Sequence, residues 1–239
     1  MTSPLFKVLV FSRTASYRHN SIPAGISGIH RLAEDSIGSA TPFTAFSTED
    51  PSIFTPSSLS EFRVIILLQC SGEFLSSPDQ LDALKGFVRS GGGIVGIHCA
   101  SFGMLSSEWY GRLIGAVFDS HPEPQKHRVR VVDAGHPIVA RSLGKSAGMR
   151  ELGGDWEWEW MDEWYMFKED AGSIKENVHV LLTGGLHDQD YPIAWCHEFQ
   201  GGRSFYTSLG HFDEAFEDEG FMAQVLGGIL WVSPGSRED

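Results

Sequence analysis

Histidine chemistry recurs at the turning points of this 239-residue chain. His19 follows the first apolar run, His98 the third, His121 stands in Asp119-Ser120-His121-Pro122, His197 in Cys196-His197-Glu198 and His211 in Gly210-His211-Phe212-Asp213. Imidazole changes its charge near neutral pH and is the commonest metal ligand, so these side chains, if brought together, form a proton-transfer or metal-binding site. Each taken singly also reads as a loop or core histidine bonded to a nearby carbonyl. Convergence of several is what would make a site.

Met161-Asp162-Glu163-Trp164-Tyr165 sets two carboxylates beside an indole and a phenol. That composition suits a polyol or sugar, whose apolar faces stack on rings while its hydroxyls donate to carboxylates. Trp156, Trp158 and Trp160 alternate with Glu157 and Glu159, which reads better as one face of a strand. Cys99, just past a strand, resembles a nucleophile elbow and would pair with His211 for acyl transfer. A buried filler thiol is the plainer reading of the same residue.

These residues need elements to position them. Gly91-Gly92-Gly93-Ile94-Val95-Gly96-Ile97 is a short apolar run bounded by glycine, the pattern of a central parallel strand, and His98-Cys99 falls at its C-terminal end, where open α/β sheets place their ligands. Strands are also predicted at Phe6–Ser12 and Val64–Leu68. A helix is expected from about Ser21, with Pro23 in its first turn, and another from Ser77-Pro78-Asp79, with Leu81, Leu84, Phe87 and Val88 as its stripe. The alternation predicts a flavodoxin-like, mostly parallel sheet with helices on both faces. Beyond Phe118 the order loosens. His127–Val132 alternates as a half-exposed strand, Gly144–Glu159 reads as an excursion over the active face, and strands are predicted at 178–182, 192–198 and 203–209. A final apolar helix covers 221–231. No linker or repeat divides residues 1–239, so one domain is expected.

Composition narrows the partners. The formal charge of −13 opposes nucleic acid and anionic membrane surfaces. Three cysteines without a CxxC pair oppose a disulfide framework or a cysteine zinc site and fit a reducing, cytoplasmic compartment. No apolar run reaches the ~20 residues of a membrane span. Gly91–Gly93 precedes its strand and no Lys-Ser/Thr pair follows, so it is no phosphate loop; neither nucleotide nor flavin is expected. The chain is compatible with homo-oligomers.

The chain resembles the ThuA-like, or trehalose-utilisation, family. The resemblance rests on Val8–Ser12 with Tyr17–Ile22, Gly91–His98, Trp109-Tyr110 with Gly115 and Phe118, Ser120-His121-Pro122, Asp162–Tyr165, Pro192–Trp195 with His197-Glu198, Gly202-Arg203, and Gly210-His211. It implies a class I glutamine amidotransferase-like fold in which His98 takes the elbow position that carries cysteine in glutaminases. His211 takes the strand end of their catalytic histidine. Cys99 departs from the family pattern, where a small residue follows the histidine, so no Cys-His-Glu triad carries over. The implied context is disaccharide catabolism, often beside oxidoreductases that make 3-keto sugars. The expected catalytic residues are His98, His121, Glu163 and His211. The expected substrate contacts are His19, Trp109, Tyr110, Asp162, Trp164, Tyr165, His197 and Glu198, around a small sugar-like molecule. His and carboxylate groups of this kind would accept a divalent Zn, Mn or Fe. Two competing readings are a non-catalytic sugar-binding module and a cysteine-dependent hydrolase or amidotransferase using Cys99.

Overall fold

A computed structural model describes residues 5–168, 178–186 and 189–233. The first half alternates as its pattern dictates: β1 (Phe6–Phe11), α1 (Ile22–Ser36), β2 (Phe43–Thr48), α2 (Pro56–Leu59), β3 (Val64–Leu68), α3 (Pro78–Arg89), β4 (Gly93–Ile97) and α4 (Glu108–Ile114). The second half adds β5 (Phe118–Ser120), β6 (Gln125–Val131), α5 (Pro137–Ala140), β7 (Arg150–Leu152), β8 (Asp155–Asp162), β9 (Met166–Phe167), β10 (His179–Leu186), β11 (Gln189–Phe199), β12 (Gly202–Thr207) and α6 (Glu219–Val232). Among the described residues, no helix is long and apolar enough to cross a membrane.

The main sheet runs β2-β1-β3-β4-β12-β11-β10-β6-β8-β7. Its first five strands are mutually parallel, and every later pairing is antiparallel. The expectation of a mostly parallel sheet therefore holds for the β2-to-β12 half and is corrected for the rest. Short hairpin turns such as Gln200-Gly201 before β12 leave no room for the crossover helix that a parallel neighbour requires. The stretch 144–159, read as an excursion, ends in β7 and β8, which extend the sheet edge through β6. Trp158 is buried on one face of β8, and Glu157 meets Arg128, Arg130 and Arg150 at 3.4, 3.9 and 3.2 Å on the other. β2 had no counterpart in the sequence reading, because Phe43–Thr48 pairs only along one side and carries exposed residues on an edge.

Both sheet faces are covered, which is why β3 is apolar at every position. Val8 and Val10 of β1 and Ile66 and Leu68 of β3 face one core with Ile29 of α1 and Phe221, Val225 and Ile229 of α6. Leu9, Phe11, Ile65 and Leu67 face the other with Leu84 and Val88 of α3 and Leu113 of α4. Each such side chain contributes about 1.5–3 kcal/mol by leaving water. Helix α6 packs tightly enough on the sheet that a Cβ added at Gly228 would run into the Phe205 ring. We expect Gly228→Ala to cost about 1–3 kcal/mol by overpacking, read as a lower urea midpoint with an unchanged slope. A midpoint equal to that of the parent would contradict this packing.

Candidate active site

The C-terminal edge of the parallel strands carries one cluster of titratable groups. His19 lies in the loop after β1, His98 follows β4 directly, and His211 stands four residues beyond β12. Glu163 and Tyr165 leave the end of β8, and His121 follows β5. The ring centroids of His98 and His211 are 5.5 Å apart, and that of His19 lies 4.6 Å from His98 and 5.1 Å from His211.

Glu163 is the hub. Its carboxylate lies 3.2 Å from His98 Nε2, 3.2 Å from His211 Nδ1, 3.5 Å from His121 Nε2 and 3.9 Å from His19 Nε2. Burial pushes this carboxyl up, but the bonds and charges of His19, His211 and His98 outweigh it and hold it well below the usual carboxylate range. Burial first, and then His98, pushes His19 down to about 4, against the pull of Glu163. For His211 burial lowers the imidazole, and Glu163 with Asp162 more than reverses that, leaving it above its ordinary value. The cluster opens outward from a sealed interior: His98 and His19 are buried, whereas the His121 side chain is 32 % exposed.

The backbone is shaped to this purpose. His98 has φ +51°, a left-handed conformation that costs a non-glycine residue about 1–3 kcal/mol and occurs mainly at functional sites. It is held there from both sides, by Nδ1–H donating to the Ser208 carbonyl at 2.6 Å and by Tyr206 Oη donating to the His98 carbonyl at 2.7 Å. Its Nε2 meets Tyr165 Oη at 2.8 Å and His19 Nε2 at 3.1 Å. His121 donates Nδ1–H to the Pro122 carbonyl at 2.9 Å, which leaves Nε2 as its lone-pair nitrogen toward Glu163.

Two residues with no part in the site expected from sequence, Gln69 and Ser21, hold the His211 loop. Gln69, at the end of β3 with φ +53°, donates through Nε2 to the Gly210 carbonyl at 2.6 Å and to Ser21 Oγ at 2.9 Å; Ser21 Oγ donates to the His211 carbonyl at 2.6 Å. Gln69 follows its apolar run as His98 follows its own, so the strand-end rule reaches it. Its neutral amide simply lacked the chemistry that drew attention to histidine.

The remaining expected contacts lie elsewhere. Asp162 is buried beside the cluster and accepts from Trp160 Nε1, Glu163 N, Gly210 N and His211 N at 2.9, 2.9, 2.9 and 3.2 Å, so its oxygens serve the protein rather than a ligand. Burial pushes its carboxyl up, partly offset by His98 and by these bonds. Trp164 is buried with Nε1 on the Gln125 carbonyl, and Tyr110 is buried with Oη on the Ala100 carbonyl; neither face is free to stack. Trp109 bonds Gln200, and His197 and Glu198 pair in register with Ser204 and Arg203, level with the start of β4 at the opposite edge of the sheet. The reason is direction: β11 runs antiparallel to β12, so its C-terminal end points away from the cluster.

Cys99 is buried, and desolvation pushes its thiol up to about 12, leaving almost no thiolate at neutral pH. We expect Cys99→Ala to keep turnover within a few-fold and cost about 1 kcal/mol of stability, as measured by kinetics and denaturation of the same preparation. Complete loss of turnover in the folded variant would restore cysteine chemistry. The arginines Arg13, Arg18 and Arg203 are engaged or remote from the cluster: Arg18 pairs with Glu49, Arg13 donates to the Phe74 carbonyl and Ser76, and Arg203 donates to the Trp231 carbonyl beyond the far edge. A surface cavity of about 590 Å³ lies between α1 and α6 and is lined by none of the cluster residues.

The molecule is an α/β protein whose sheet is parallel in one half and antiparallel in the other, with helices on both faces and a histidine–carboxylate cluster at the C-terminal edge of the parallel strands. The chain belongs to the trehalose-utilisation (ThuA) family, whose model matches residues 7–232. It is similar in fold to a ThuA-like protein from Bacteroides uniformis (22 % identity, TM-score 0.70, covering 95 % of this chain and 91 % of that one). It also resembles a ThuA-like protein from Parabacteroides merdae (16 %, 0.72, 99 % and 92 %) and a cytoplasmic protein from Salmonella typhimurium (12 %, 0.61, 95 % and 99 %). No curated protein matches the chain. The family connects the chain with sugar metabolism.

Proposed function

We propose that this protein is an enzyme that moves protons on a neutral, sugar-sized polyhydroxylated substrate of the 3-keto glycoside class. The observation that carries this reading is the set of four imidazoles around the buried carboxylate of Glu163, at the strand-end edge of an α/β sheet. A ketone acidifies the neighbouring C–H. His121, the most exposed member, offers a lone-pair nitrogen to take that proton, and a neighbouring imidazole of the cluster, in its protonated form, stabilises the enolate oxygen. Elimination, hydration or isomerisation then follows from the same enolate. Tyr165, bonded to His98 and with its ring centroid 5.7 Å from that of His121, is placed to give a proton to a leaving oxygen.

The test is incubation of the purified chain with trehalose and other disaccharides, each with its 3-keto derivative, with products followed by NMR. Turnover of a keto sugar is expected. Saturable binding without product would make the chain a sugar-binding module instead. A neutral ligand also predicts affinity that barely changes between low salt and 0.1 M, where the Debye length is about 10 Å. Preference for a sugar phosphate, weakened by salt, would contradict the neutral-ligand assignment and implicate Arg18.

A further inference from the structure

We infer that His19, His98, Glu163 and His211 form a mononuclear site for a divalent transition metal of the zinc class. The inference rests on the reading of this cluster as the reacting centre and supplies the positive charge of that centre as a specific ion. One ligand atom from each residue lies within 4.8 Å of all the others. The separations are 3.1 Å between His19 Nε2 and His98 Nε2, 3.2 Å from His98 Nε2 and from His211 Nδ1 to the carboxylate, and 3.9 Å from His19 Nε2 to the carboxylate. Metal bonds of about 2.0–2.1 Å in tetrahedral array place neighbouring ligand atoms about 3.3 Å apart, so the His19–His98 and His98–Oε2 edges already have coordination length, and His211 lies as close to the other carboxylate oxygen, Oε1.

Hydrogen bonding agrees. The Nδ1 proton of His98 is committed to the buried Ser208 carbonyl, the outer bond that ligating histidines make to fix their tautomer. The Nε2 lone pair therefore faces a carboxylate oxygen, acceptor toward acceptor, and His19 Nε2, whose tautomer no bond at Nδ1 fixes. Tyr165 Oη answers one of these acceptors from the side. His211 Nδ1 is buried 3.2 Å from the same carboxylate, without the alignment of a full hydrogen bond to it. A cation in the middle resolves every one of these contacts. Three nitrogens and one oxygen suit Zn, Fe(II), Co or Mn, rather than Ca or Mg, which prefer oxygen alone. His121 stays outside the set, on the exposed side where a substrate oxygen would join as a fifth ligand and where a proton acceptor is needed.

Dialysis of the full chain against a chelator, followed by titration with Co(II) and Zn(II), tests this. Expected are one equivalent per chain, a Co(II) ligand-field spectrum of four- or five-coordinate type, and at least hundredfold weaker binding in His211→Ala, whose residue sits in a surface-reaching loop. Asp133, His136 and His179, with the buried Cys196 beneath them, form a second group of donors away from the cluster, so His179→Ala is the control and should bind as the parent does. Less than a tenth of an equivalent bound to the parent, binding unchanged in His211→Ala, or binding lost in His179→Ala would each overturn the inference. Turnover persisting in the chelated chain would remove the metal and leave the proton-transfer reading standing. One equivalent bound at the cluster, with no substrate turned over, would do the reverse.

Discussion

Glu163→Gln should lower turnover by about 10²–10⁴-fold, the range that positioned proton-transfer groups contribute, while the chain still folds. The variant keeps the side-chain shape but removes the negative charge toward which His19, His98, His121 and His211 all converge. His98→Ala should lose a comparable factor for a related reason, since its ring touches Tyr165, His19 and Glu163 at once. Circular dichroism and a thermal midpoint measured on the same sample separate lost chemistry from lost fold. Near-parental kcat in folded Glu163→Gln would take the carboxylate out of the mechanism.

Asp162→Asn should be the most destabilising small change in the molecule. Both carboxylate oxygens receive only donors, Trp160 Nε1 and Gly210 N on one, Glu163 N and His211 N on the other. An amide must turn its NH₂ toward one of these pairs, leaving buried donors facing donors at about 1–3 kcal/mol for each group left unsatisfied. We expect a loss of about 3 kcal/mol, or about 6–12 °C in Tm for a chain of this size. The Gly210-His211 segment should be released with it, so turnover should fall as well, because His211 loses its anchor rather than its chemistry. A Tm within 2–3 °C of the parent's would show that the loop is held by Gln69 and Ser21 alone.

How much of this was legible before folding follows from the physics of each residue. His19, His98 and His211 could be placed together because each follows a parallel strand, and parallel strands share a C-terminal edge. His197 and Glu198 failed the same logic, since nothing local tells an apolar run which way it will run in the sheet and β11 is reversed. Aromatic side chains misled for another reason. Trp109, Tyr110 and Trp164 carry both an apolar body and a polar tip, and a core that offers a carbonyl or amide oxygen to the tip is as good a home as a sugar pocket. Tyr165 differs only in that its hydroxyl meets His98. The antiparallel half of the sheet was legible as strands but not as pairings, because order and register there are set by turns and by long-range contacts.

The most direct measurement is exchange of substrate carbon-bound hydrogen with solvent. In D₂O, with a 3-keto glycoside, the wild-type chain should wash out the proton signal next to the ketone faster than buffer does. Both Glu163→Gln and His121→Ala should slow that washout by at least a hundredfold. Exchange that proceeds at the wild-type rate in both folded variants would contradict the assignment of proton transfer to this cluster.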